Sequence, residues 1–499
     1  MLRLKQYILA IDQGTTGSRA FIFDQNGKIV SSAYQEFRQY FPKPGWVEHD
    51  AEEIWTSVVK VIRRAIDIGK ILPQNIQAIG ITNQRETVVA WDRNTSKPAG
   101  RAIVWQCRRT TDICRDKKYK QFEPLIRQKT GLVLDPYFSG TKIKWMLDHI
   151  PGLRTKVKRG QICFGTIDSW LIWKLSGGKV HATDTTNAAR TLLYNIRHFK
   201  WDQNLLKLFG VPESCLPEVK NSGTIFAKTR NRSTGLPNDI PIAAVMGDQQ
   251  AALYGQGCHT PGTIKNTYGT GCFLVLNTGE KFILSKNGLV TTIACNMKGE
   301  PVYALEGSIF IAGALIQWLR NQLKIIKTST DTENLIAGLT DTHGVYIVPA
   351  FVGLGAPYWN SEARGIITGL TRGANARHIV RASLEAICYQ TKDVFDLMNK
   401  EFGQTIPQLR VDGGACRNNF LMQFQADMLH CPILRPQVIE TTAQGAAHLA
   451  GLTIGLWDPQ RDFKNFHSTD RIFKPTLNAS KRRQLYHGWQ KAVRQTLST

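Results

Sequence analysis

Apolar and polar positions alternate over the first thirty residues in a pattern that predicts two strands and a hairpin. Tyr7 to Phe23 reads as strand, Gly/Thr-rich turn and strand, and Asn26-Gly27 then turns the chain into a third short strand beginning at Ile29. The same order recurs from Ile264 to Leu276, where an apolar stretch meets Asn-Thr-Tyr-Gly-Thr-Gly and resumes as Cys-Phe-Leu-Val-Leu, about 257 positions after the first turn. The period changes at Asp50. Asp50 can cap a helix running to Ile68, Glu53 completes a capping-box-like pair, Ile54, Val58, Val61, Ile62 and Ala65 form one apolar face, and Gly69 can close it. The next strand, Ile76 to Ile81, is apolar enough to be buried on both sides. Strands alternating with helices predict α/β architecture, here in two similar halves, 1–253 and 254–499, with a ligand-binding cleft between them.

Composition narrows the function classes. With 499 residues, 42% hydrophobic and 12 Trp, the chain is an ordinary globular protein, which excludes disorder and fibrous rods. The 63 Lys and Arg against 39 Asp and Glu leave a net charge of +24, a field that favours phosphorylated ligands, RNA or acidic membranes. The basic residues come in ones and twos, such as Arg63-Arg64 and Arg482-Arg483, without the runs or aromatic interleaving of a nucleic-acid binder. The plainer reading is a basic surface, with no nucleic acid as partner. Ten Cys show no C-x-x-C pair, so neither a zinc site nor a disulfide framework is expected, and reduced thiols in the cytoplasm are the default. No apolar run approaches a membrane span, and the stretch after Met1 is too short for a signal segment.

The familiar phosphate motifs are missing: there is no Walker-type loop, no G-x-G-x-x-G after a strand and no kinase H-R-D or D-F-G set. Instead, the first buried strand leads into Asp12-Gln13-Gly14-Thr15-Thr16-Gly17-Ser18-Arg19. Glycines there let backbone approach an anion, hydroxyls and N–H groups can donate to phosphate oxygens, and Asp12 can hold Mg²⁺ directly or through water. A second hydroxyl-and-glycine hairpin, Asn266 to Gly271, lies in the other half, so a polyphosphate can be clamped from both sides. A third turn, Val411-Asp412-Gly413-Gly414-Ala415, precedes a helical pattern from about Asn418 and suits a nucleotide. Asp248 comes directly after the apolar stretch Ile242 to Met246 and Gly247, which puts its carboxylate at a strand end, where it can accept a hydroxyl proton. Arg85 and Glu86 can donate to and accept from vicinal hydroxyls. Trp105, Tyr137 and Phe273 offer flat apolar surface for a short carbon backbone.

These segments carry a resemblance over nearly the whole chain. DQGTTGSR from Asp12, PKPGWVEHD from Pro42, GITNQRET from Gly80, IVWQCRRT from Ile103, DPYFSGTKIKW from Asp135, GDQQAALYGQ from Gly247, NTYGTGCF from Asn266, GLGAPYW from Gly353 and VDGGA from Val411 resemble the FGGY carbohydrate kinases, and among them the members that act on glycerol. The resemblance implies two actin-like (ribonuclease H-like) domains, each around a mixed five-stranded sheet, with the nucleotide in the cleft between them. It implies ATP-dependent phosphorylation of glycerol to sn-glycerol 3-phosphate, the first step of glycerol breakdown, with Asp248 as general base.

By the same resemblance Arg85, Glu86, Trp105, Tyr137, Asp248, Gln249 and Phe273 contact glycerol, and Asp12 serves Mg²⁺. Thr15, Thr16, Gly17, Arg19 and Thr270 contact the phosphates of ATP, and Gly313, Gln317, Gly414 and Asn418 surround its nucleoside. Gly17 departs from the hydroxyl residue common at its position in the family, which removes one side-chain donor. Ser233 to Asp239 departs from the Gly- and Arg-bearing loop of relatives inhibited by fructose 1,6-bisphosphate, so inhibition is expected to be weak or absent. The phosphorylatable His loop of some relatives finds no clear match. Homodimers or homotetramers are usual in the family. A pentose or another polyol is the rival substrate.

Overall fold

The computed structural model describes residues 5–360, 362–459 and 467–498. Its first half is built on β1 (Tyr7–Gln13), β2 (Gly17–Asp24), β3 (Ile29–Glu36), β4 (Ile76–Asn83), β5 (Ala227–Lys228) and β6 (Pro241–Gly247), in the order β5-β6-β4-β1-β2-β3. The first three strands form an antiparallel meander, and β4 adds to β1 and β6 to β4 in parallel, as their apolar stretches require. Its second half repeats that plan with β7 (Ile264–Tyr268), β8 (Cys272–Gly279), β9 (Val290–Cys295), β10 (Pro301–Ile309), β11 (Leu409–Asp412), β12 (Ile433–Pro436) and β13 (Thr469–Phe473). The order there is β9-β10-β8-β7-β11-β12-β13. The sheets therefore have six and seven strands rather than five. The expected five persist as the centre of each, and β5, β9 and β13 extend the edges.

Helix α1 (Ala51–Gly69) covers β2 and β3 with Ile54, Val58, Val61, Ile62 and Ala65, all buried. Asp50 accepts from the N–H groups of Glu52 and Glu53, as a capping residue should. Two details differ from the sequence reading. Glu53 does not reach back to the cap; its carboxylate accepts from the Tyr40 hydroxyl at 2.6 Å, so the capping pair is one-sided. Nor does Gly69 supply the left-handed residue. Lys70 does, at φ 50°, while Gly69 remains helical where an added Cβ would stand 2.8 Å from the Ser31 hydroxyl.

The halves are held together by helices. Strand β6 runs directly into α2 (Asp248–Gly255), and α5 (Thr441–Thr453), which comes from the second half of the chain, lies on α2 and on the first sheet. Their backbones touch: a Cβ on Gly445 would stand 2.0 Å from the Ala251 carbonyl oxygen, and one on Gly255 2.0 Å from that of Thr441. Met246, Tyr254, Ala443 and Ala447 share one apolar cluster across this junction. The chain just past β4 and β6 consequently meets β10 and β7, through Arg85 on Glu306 and Gln249 on Lys265. All ten cysteines are buried and free. Among the described residues no helix is long and apolar enough to cross a membrane.

Candidate active site

The turn after β1 is shaped to receive an anion. Its carbonyls are already engaged: Gly14 O accepts from Gln13 Nε2 at 2.7 Å and Gln84 Nε2 at 3.2 Å, and Thr15 O from Gln39 Nε2 at 3.0 Å. His49 braces Gln39 at 2.6 Å and, held neutral by burial that pulls its pKa down to about 4, leaves the turn uncharged on that side. Among the described residues the N–H groups of Thr15 and Thr16 have no acceptor, so they remain for a ligand. Gly17 has a steric reason. A Cβ there would stand 2.5 Å from Tyr34 Cε2 and 2.7 Å from Gln35 O on β3, so the hydroxyl residue common in the family has no room. Arg19 Nη1 forms an ion pair with Glu440 Oε2 at 2.9 Å and stacks on Tyr34. Asp12, one residue from the end of β1, is half-buried, and burial, with Asp248 and Glu440 nearby, pushes its carboxyl up to about 7 against the pull of Arg19.

At the end of β4 the chain enters a charge network whose Arg85, Glu86, Arg190 and Glu306 are buried, with Asp248 half-buried at its rim. Arg85 Nε reaches Asp248 Oδ1 at 3.1 Å, and its Nη1 donates to Glu306 Oε2 at 2.6 Å and to Gln250 Oε1 at 3.3 Å. Arg190 Nε donates to Glu86 Oε1 at 2.5 Å and its Nη2 to Glu306 Oε1 at 2.8 Å. Glu86 sits at φ 61°, a left-handed backbone that turns its side chain into this network. Burial pushes the Glu86 carboxyl up, whereas Arg190 and Arg85 outweigh burial at Glu306 and hold it at about 2. Asp248 is pushed up by burial, opposed by Arg85. Its Oδ1 also accepts from Gln249 N at 2.7 Å, which leaves Oδ2 for a ligand. A polar core behind it fixes the strand ends: Thr186 Oγ1 accepts from Gly247 N at 2.9 Å, and Asp184 holds Thr186, Ser222 and Asn187, which bonds Asn83.

Two aromatic rings lie beside this network. Trp105 meets Tyr137 edge-on at 5.6 Å, and Trp105 Nε1 donates to Thr15 Oγ1 at 2.9 Å. Arg190 lies 5.5 Å over the Tyr137 ring, whose hydroxyl is kept protonated by burial. Phe273 is half-buried on β8 opposite Thr267. Gln249 accepts from Lys265 Nζ, which also donates to Thr267 Oγ1 at 2.7 Å, and burial pulls this lysine down to about 8.

The second hairpin is docked on α3 (Gly313–Asn321). Gly313 N donates to Gly269 O at 3.0 Å, and Ala312 and Ala314 N–H groups donate to Thr270 O at 2.9 and 3.0 Å. A Cβ on Gly313 would stand 2.5 Å from the Gly269 oxygen, so only glycine permits this approach. Thr270 is exposed at the hairpin tip, and Gln317 is exposed one helical turn along α3. Gly414, after β11, has open space where a Cβ would stand. Asn418 caps α4 (Asn419–Leu429) by accepting from Leu421 N at 2.8 Å and donates to Thr332 at 3.2 Å. β7 and β11 are parallel neighbours, so the turns that follow them share one end of the second sheet. The site thus has a turn with free N–H groups, an acid-and-guanidinium centre and, in the other half, a second hairpin beside an open glycine turn.

Family models of the N-terminal and C-terminal domains of FGGY carbohydrate kinases match residues 7–255 and 264–454. The chain belongs to the FGGY family of carbohydrate kinases. It is 56% identical over 494 residues to the glycerol kinase of Caldanaerobacter subterraneus subsp. tengcongensis, covering 99% of both chains. It is 55% identical over 496 residues to that of Thermus thermophilus, covering 99% of this chain and 100% of the other. Among solved structures, Plasmodium falciparum glycerol kinase with ADP superposes with a TM-score of 0.92 at 38% identity, covering 99% and 98% of the two chains. The gluconate kinase of Lactobacillus acidophilus, at 23% identity and a TM-score of 0.84, shares the fold.

For this FGGY kinase the sequence reading missed four residues of the site: Arg190, Glu306, Lys265 and Gln250. The signal for Glu306 was present, since it is a lone acid in the apolar stretch Val302 to Ile309, and a buried carboxylate needs a partner. Arg190, between Ala188-Ala189 and Leu192-Leu193, carried the same signal. In the loop from Ser233, Asp239 pairs with Arg230 at 2.9 Å on the surface.

Proposed function

We propose that the protein transfers the γ-phosphoryl group of ATP to a terminal hydroxyl of glycerol, giving sn-glycerol 3-phosphate. The observation that carries this reading is the Asp248 carboxylate: its Oδ1 is bound by Arg85 and Gln249 N, and its Oδ2 is left to accept a proton beside the polyol pocket. The groups still unengaged around it match a small triol. One N–H of Arg85 Nη2 can donate, Glu86 Oε2 can accept, the Tyr137 hydroxyl can do either, and Trp105 and Phe273 take the carbon chain. Such transfers depend mainly on positioning and charge neutralisation, with the base worth on the order of 10²- to 10⁴-fold.

The phosphates of ATP would lie between the free N–H groups of Thr15 and Thr16, with Gly17 and Arg19 alongside, and the Thr270 hairpin. The nucleoside would rest on the shelf of Gly313, Gln317, Gly414 and Asn418. Asp12 suits Mg²⁺: a half-buried carboxylate at the turn, raised by burial, is the kind of oxygen ligand a cation restores to its charged form. Mg²⁺ would neutralise phosphate oxygens there. Ten buried free thiols suit a reducing compartment, and we place the protein in the cytoplasm.

The test is ADP release from MgATP with glycerol, dihydroxyacetone, erythritol, xylulose or no acceptor, with the product identified by mass. Turnover strongest with glycerol is the expected outcome. Higher kcat/KM for xylulose, or no acceptor-dependent turnover, would overturn the reading.

A further inference from the structure

We propose that Glu306 is a positioning residue of the polyol site, supplied by the second half of the chain to orient Arg85 and Glu86 of the first. The inference rests on the glycerol reading above. Glu306 lies on β10 with its side chain fully buried, paired in register with Val275 of β8 and Val290 of β9. Both of its oxygens are used by residues from the other half. Oε2 accepts from Arg85 Nη1 at 2.6 Å; Oε1 accepts from Arg190 Nη2 at 2.8 Å and from Arg85 Nη2 at 3.4 Å.

Each of these bonds fixes something that faces the substrate. A two-pronged grip on Arg85 sets the plane of its guanidinium, whose Nε then reaches Asp248. Arg190, held by Glu306, grips Glu86 Oε1 in turn, so the orientation of the glycerol-facing carboxylate depends on an acid it does not touch. Gln250 adds a second tie, accepting from Arg85 and donating to Ile293 O of β9 at 2.9 Å. Without Glu306 the first half would bury two guanidinium groups against Glu86 and Asp248, and Arg85 would be free to turn toward either. The polyol site is therefore complete only when β10 is docked against the end of β4.

Glu306→Gln keeps the shape and removes the charge. In the full-length protein we expect the glycerol KM to rise about 10- to 100-fold, as loss of charge-assisted bonds does, while the Kd for ADP measured by calorimetry stays within about threefold. An unchanged glycerol KM overturns the proposal, and so does an ADP affinity that falls in step with glycerol, since that is the mark of general structural damage. If Glu306→Gln does not fold, Glu306→Asp decides, because it keeps the charge and withdraws the carboxylate by one methylene. A raised glycerol KM with unchanged ADP affinity then supports the proposal, and no change in either overturns it. Wild-type protein runs in the same assay: no glycerol turnover there removes the functional reading and this inference with it, whereas normal wild-type turnover beside an unaffected variant removes only the inference.

Discussion

Trp105 and Thr15 are joined by a hydrogen bond from the indole N–H to the threonine hydroxyl at 2.9 Å, which ties the ring beside Tyr137 to the turn after β1. On the proposed reading, a side chain serving glycerol thus holds the element that would bind ATP. Trp105→Phe keeps the ring surface beside Tyr137 and deletes the bond, worth about 1 kcal/mol. The expected result is a rise of about 2- to 10-fold in KM for both ATP and glycerol. A change confined to glycerol would show that the bond carries no such link.

Gly17 is required by β3. Placing the family's hydroxyl there through Gly17→Ser would drive Cβ into Tyr34 and the Gln35 carbonyl, an overpacking that costs about 1–3 kcal/mol. Thermal unfolding should move to lower temperature, and the KM for ATP should not improve. A variant as stable as the wild type with tighter ATP binding would contradict the geometry.

Particular residues explain why some of this was legible in sequence and some was not. The strand-turn-strand units at Tyr7 and Ile264 announced themselves because strand period, glycines and hydroxyls coincide there, and Asp248 because a long apolar strand ends on it. Arg190 and Glu306 each stood out only as a lone charge among apolar residues; their partners lie 104 and 221 residues away, so nothing local named the pairing. The capping role of Glu53 failed for the same reason, since the competing Tyr40 comes from a separate loop. Edge strands β5, β9 and β13 are short or come after irregular chain, so no periodicity marked them as parts of the two sheets.

A pH-linked stability term is built into the first half. Asp168 is buried, accepts from Thr166 and Thr183 at 2.5 and 2.6 Å, and is pushed by burial, and next by Asp184, from 3.8 up to about 7. The folded state thus prefers the protonated acid. Its contribution is full below the unfolded value of 3.8 and is lost as pH rises through about 7. Melting temperatures of the wild type should therefore fall more steeply between about pH 4 and 7 than those of Asp168→Asn. Parallel curves would show that the acid is already ionised in the fold.

In the proposed reaction Asp248 takes the proton of the attacking hydroxyl. Because burial raises this carboxyl, kcat/KM should fall on the acid side at a pH above that of an ordinary aspartate. The decisive measurement is a single-turnover rate of glycerol phosphorylation by Asp248→Asn, with glycerol and ADP affinities measured alongside. We predict a loss of about 10²- to 10⁴-fold with ADP affinity intact. A rate within a few-fold of the wild type, in a folded protein that still binds both ligands, would contradict the account.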